Sequence, residues 1–143
     1  MSDLSMFLKK NKKIRSNSFY PATKSIVDKN GEPVLWEIRP ITTEENDRIR
    51  AACTHEIPIP GRKGATRDKI DLNEYMDKLT VAAIVFPDLM NAELQDSYGV
   101  RTPEELLKQM IDDPSEYVEL QQYIQGQSGF DADMSDEVEE AKN

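Results

Sequence analysis

Cysteine and histidine occur once each, as Cys53 and His55. A lone cysteine excludes an internal disulfide and suits a reducing compartment. With no second Cys or His, the run Cys53-Thr54-His55-Glu56 cannot complete a zinc site, which wants three or four ligands. Residues two apart on a helix also point about 200° apart. This thiol and imidazole therefore read as an ordinary helix end, not as a nucleophile and its base. A phosphate-cradling glycine loop is missing as well: Gly61-Arg62-Lys63-Gly64 lacks the spacing and the Ser/Thr after lysine. No apolar run approaches the ~20 residues of a membrane span. The short patch Met6-Phe7-Leu8 precedes the lysines, whereas in a signal peptide it would follow them. Catalysis, a metal, a cofactor and a membrane are all outside what this sequence leads one to expect.

What the chain does have is charge, unevenly placed. Charged residues make up 31% of its 143 residues, and the formal net charge is −9. Lys9, Lys10, Lys12, Lys13 and Arg15 against Asp3 give residues 1–15 a net of +4. Asp131, Asp133, Asp136, Glu137, Glu139 and Glu140 against Lys142 give residues 131–143 a net of −5. Ends of opposite sign can close on themselves or join head to tail with a copy; two solvated tails are the plainer alternative. The basic run lacks interleaved aromatics for stacking on bases, and the chain as a whole is acidic, so nucleic-acid binding is not expected.

Between the ends, the pattern is that of one α+β domain. Asp71 to Pro87 carries Leu72, Tyr75, Met76, Leu79, Ala82, Ala83 and Phe86 at helical spacing, and Val81, Ile84 and Val85 widen that stripe. Asp71 with Glu74 makes a capping box at its start, and Pro87 ends it at Phe86. Such a helix should lie inside, with the rest of the domain arranged around it. Upstream, Thr23 to Lys29 and Glu32 to Arg39 flank Asn30-Gly31, a type I′ hairpin signal that places Val27 opposite Val34. Val34, Trp36 and Ile38 then share the inner face, while Leu35, Glu37 and Arg39 share the outer one; Trp36 reads as a core cover. Thr42 to Glu45 opens a helix through Ile49 and Cys53. Ile57 to Ile70 reads as a second, exposed hairpin arm or a plain loop. Asn91, Thr102-Pro103 and Asp113-Pro114 begin three further helices, the last ending near Gly126. Phe130, Met134 and Val138 repeat every four residues within the acidic end, an amphipathic pattern too thin to fold without a surface to lie on. The expected organisation is a basic arm over 1–17, one α+β domain over 18–126 and an acidic, partly flexible tail over 127–143. N-terminal hairpins pack on four to five helices.

Several stretches resemble the XkdN-like tail assembly chaperones of phages and prophages of Gram-positive bacteria. They are Phe7-Leu8-Lys9 with Asn11-Lys12-Lys13, Trp36-Glu37-Ile38-Arg39-Pro40 with Thr42, and Pro58-Ile59-Pro60-Gly61. The run Asn91 to Val100, Gly129-Phe130-Asp131 and Val138 to Asn143 continue the match. Ser128 stands where the pattern has a bulkier polar residue.

The resemblance implies a non-catalytic assembly factor of the host cytoplasm that is absent from the finished virion. Its implied partner is the long, largely helical tape measure protein, coated through helix-on-helix contact. Helical surface around Leu94, Tyr98, Leu106 and Met110, together with Phe130, is the expected contact. The resemblance also implies a longer product, made by a −1 ribosomal frameshift, that recruits tail tube protein. Ala141-Lys142-Asn143 can be encoded by GCA-AAA-AAC, which holds the slippery heptamer A-AAA-AAC. Retention in the virion as a structural component and an acidic nucleic-acid mimic are the rival readings.

Overall fold

The computed structural model describes residues 3–129, so Phe130, Met134 and Val138 lie outside the described residues. Two 3-10 turns, Leu4–Phe7 and Lys9–Asn11, open the chain. Then come β1 (Ser18–Tyr20), β2 (Trp36–Ile38), α1 (Thr43–Ala52), β3 (Thr54–Pro58) and β4 (Thr66–Ile70). They are followed by α2 (Leu72–Ala83), β5 (Ile84–Phe86), α3 (Ala92–Ser97), α4 (Pro103–Met110) and α5 (Pro114–Ser128). The fold is α+β, as the pattern predicts.

The helix starts follow from local chemistry. Thr42, Asp71, Asn91, Thr102 and Asp113 each accept a backbone N–H of the first turn through a side-chain oxygen, which satisfies a donor the helix cannot. Thr42 and Glu45 complete both halves of a capping box. The box expected at Asp71 is only half made. Glu74 donates its N–H to Asp71 (3.1 Å), but its carboxylate sits 2.9 Å from His55 Nε2.

Helix α2 touches α1, α4, α5 and β5. Its buried Tyr75, Leu79 and Ala83 meet Leu106 and Leu107 of α4 and Leu120 and Ile124 of α5 in one core. The organising role read from the sequence is therefore met, with one correction at its end. The helix stops at Ala83, and Ile84–Phe86 pairs with β2 as a strand. A β-branched and aromatic triplet before a proline prefers extended backbone, and β2 has a row of backbone groups to satisfy on that side. Val85 and Phe86 consequently end up exposed.

The first hairpin is also corrected. Gly31 N–H donates to Asp28 C=O (3.1 Å) and Asp28 N–H to Glu32 C=O (2.8 Å), with Gly31 at φ +80 and Asn30 not left-handed. That is a three-residue loop with glycine in the bulge position, not a type I′ turn. The Asp28 carboxylate favours it by accepting the N–H groups of Asn30 and Glu32, an aspartate-centred turn. The register shifts by one, so Val27 lies opposite Pro33. What β2 mainly pairs with is β1 on one side and β5 on the other, both antiparallel, in the order β1-β2-β5.

Of the two readings for residues 57–70, the hairpin is the one found. β3 and β4 pair from Thr54–Ile70 to Pro58–Thr66, and most of their side chains are exposed.

One seam binds the sheet to α5. Arg15 donates to the carbonyls of Ser128 (3.3 Å) and Ile41 (2.9 Å), and Ile41 N–H donates to Ser128 Oγ (2.9 Å). Further along, Ser18 Oγ meets Tyr123 OH (2.5 Å) and the ring of Tyr20 stacks on Tyr123 with centroids 4.2 Å apart. At the far end Glu116 accepts from Thr23 Oγ1 (2.8 Å) and Lys24 N–H (2.9 Å). Residues 15–24 thus run the length of α5 in the opposite direction. Ser128 fits that corner by using both its hydroxyl and its carbonyl.

Candidate functional site

The three-stranded sheet has one covered face. Trp36 and Ile38 point into the core, 1% and 0% exposed, with Ile84 beside them. Ser18 and Tyr20 turn to α5. Alternation then sends the intervening residues the other way. Phe19 pairs with Glu37, and Glu37 pairs with Phe86, so a row of three runs across all three strands. Phe19 is 62% and Phe86 55% exposed. Leu35, two residues before Glu37, is exposed as well, and so is Val85 at the register shift between β2 and β5. Glu37 is held in the middle by Asn17, whose Nδ2 donates to its carboxylate (2.8 Å). Two phenyl rings flanking one oriented carboxylate make an apolar face with a polar centre. Exposed aromatic rings grouped on one sheet face of a small domain make that face a candidate interaction site.

The Cys53 thiol and the His55 ring make no hydrogen bond to each other, and both adjoin the Glu74 carboxylate. Cys53 closes α1 and is fully buried, and burial raises its thiol pKa, with the Glu74 carboxylate adding to the effect. A thiol held neutral is a poor nucleophile. His55 lies exposed on β3 against Glu74, at the mouth of an open cleft of about 540 Å3 lined also by Ile57, Lys69 and Leu72. Among the described residues no group of three or more His, Cys, Asp or Glu is placed to hold a metal ion. No described helix is long and apolar enough to cross a membrane.

The description "Phage XkdN-like tail assembly chaperone protein" matches residues 4–142. The chain belongs to that family. Among curated relatives, the phage-like element PBSX protein XkdN of Bacillus subtilis is 30% identical over 123 residues, covering 86% of this chain and 82% of XkdN. YqbN of the same organism is also 30% identical, over 86% of this chain and 81% of its own length. The crystal structure of YqbN superposes with a TM-score of 0.77 at 24% identity, over 92% of this chain and 99% of that one, and so shares the fold.

In this XkdN-like chaperone the residues expected to meet a partner are scattered. Leu106 and Met110 are 0% and 6% exposed; their stripe on α4 is turned to α2 and the core. They have no surface to offer while the domain stays folded. Leu94 is partly buried against the same core, and Tyr98, after the end of α3, is 38% exposed. Phe130 lies outside the described residues. The exposed apolar residues of the outer sheet face, Phe19, Leu35 and Phe86, were not among those expected to meet a partner. A signal for one of them was present: Leu35 falls on the strand face otherwise occupied by Glu37 and Arg39.

Proposed function

We propose that this tail assembly chaperone binds the tape measure protein of its phage before the tail tube forms, and does so without catalysis. The observation that carries the reading is the uncovered row Phe19–Glu37–Phe86 with Leu35 beside it. An amphipathic helix laid on that face would bury its apolar stripe against the rings and meet Glu37 with a lysine or arginine. Of the expected contact set, Tyr98 is the described residue left exposed. Supporting the choice of client is the family's role in tail assembly, together with the need of a long helical protein to keep its apolar stripes covered until the tube encloses it.

Titration calorimetry with overlapping fragments of the tape measure protein tests the reading. Binding by fragments with an amphipathic helical pattern supports it; no binding to any fragment overturns it. The chaperone acts in the host cytoplasm and leaves before the virion is complete, so mass spectrometry of purified particles should not find it. A longer product recruiting tail tube protein belongs to the same proposal. It fails if the codons for Ala141-Lys142-Asn143 break the slippery heptamer.

A further inference from the structure

The segment before β1 exposes apolar and basic side chains together. Leu4, Met6, Phe7, Leu8 and Ile14 are all exposed, Phe7 at 80% and Ile14 at 92%. Lys9, Lys10, Lys12 and Lys13 lie among them, and none of the four has a carboxylate within 4 Å among the described residues. The segment is thus both oily and basic. Its base is fixed. Arg15 donates to the carbonyl of Ser128, and Ser128 Oγ accepts from Ile41. At the same corner α5 ends on Gly129, whose left-handed φ of +87 turns the chain away from the helix axis. The last described residue, Gly129, thus lies at the corner where the basic segment ends.

We infer that residues 130–143 of the same chain dock on residues 4–14, as an acidic amphipathic helix capping a basic apolar arm. Phe130, Met134 and Val138 fall at i, i+4 and i+8, one stripe of a helix. Their neighbours Asp131, Asp133, Asp136, Glu137, Glu139 and Glu140, with Lys142, set a net of −5 against the net +4 of the arm. Fourteen residues of helix would span about 21 Å, and a helix that short is marginal without a surface to lie on. The arm supplies that surface and the opposite charge together. The occupant is the chain's own end and not a second copy, because a tether of one or two residues sets a local concentration in the millimolar range. Docking hides the arm's apolar side chains until something displaces the tail. The inference does not depend on the client being the tape measure protein.

The test is zero-length carbodiimide cross-linking of the full chain, mixed from 14N and 15N protein and read by mass spectrometry. Cross-links between Lys9–Lys13 and the carboxylates of 131–140 should form within chains of one isotope and fall several-fold in 1 M salt, where the Debye length is about 3 Å. Their absence, or their appearance mainly between isotopes, overturns the inference. Proximity at Arg15 and Ser128 alone could bring tail and arm together, so a triple variant Phe130→Ser, Met134→Ser, Val138→Ser separates tethering from docking. It should lower the yield at least threefold with unchanged Trp36 emission. An unchanged yield would show that the apolar stripe does not dock.

Discussion

Arg39 donates from both terminal nitrogens of its guanidinium to the two carboxylate oxygens of Glu45, closing the corner at Pro40-Ile41 between β2 and α1. The hydrogen bonds from Arg39, helped by those from Thr42, hold the Glu45 carboxyl down at about 2. A carboxylate with a lowered folded pKa stabilises fully above its unfolded value of about 4.5 and loses that contribution as the pH falls toward 2. Glu45→Gln keeps a capping residue while removing the charge. At pH 7 it should cost about 0.5–1 kcal/mol, the range for a well-formed pair near the surface. Denaturant melts between pH 7 and pH 2 should show the gap between wild type and variant closing as acid is added. A constant gap would mean that the ion pair contributes nothing.

Leu79, 1% exposed on α2, lies where that helix meets its neighbours. Leu79→Ala should destabilise the domain by about 2–5 kcal/mol, a large part of the net stability of a small domain. Trp36, the one tryptophan and itself buried, reports unfolding by a red shift in emission. Leu72→Ala, on the same helix but 61% exposed, should change the midpoint little.

Gly31 holds the first turn at φ +80 with nothing within 4 Å of where a Cβ would stand. Gly31→Ala therefore costs through backbone strain alone, about 1 kcal/mol. Gly31→Asn should cost less, since asparagine tolerates the left-handed region. Thermal melts of the two variants order them; equal losses would contradict the turn described.

The main elements were legible because their causes are local. Caps at Thr42, Asp71, Asn91, Thr102 and Asp113 mark helix starts by chemistry within three residues, and the five α-helices among the described residues begin where those signals stand. The misread pieces depend on distant partners. Ile84-Val85-Phe86 continues a helical stripe in sequence, yet β2 recruits it as a strand from nearly fifty residues away. Asn30-Gly31 promised a two-residue turn, and the Asp28 side chain tightened a three-residue one instead. The partner surface was harder still. Leu106 and Met110 look like surplus apolar area until α2 is seen covering them, whereas Phe19 falls in a stretch for which the sequence pattern signalled no element, and the structure leaves it uncovered on β1.

The outer face of the sheet can be removed without touching the core. Phe19→Asp and Phe86→Asp each replace an exposed ring beside Glu37, so the double variant should fold with a melting midpoint within a few degrees of wild type. Its affinity for the tightest-binding tape measure fragment, measured by calorimetry on the folded protein, should fall at least thirtyfold, the loss of anchors worth about 2 kcal/mol or more. Unchanged affinity in a folded double variant would contradict the claim that this face holds the client.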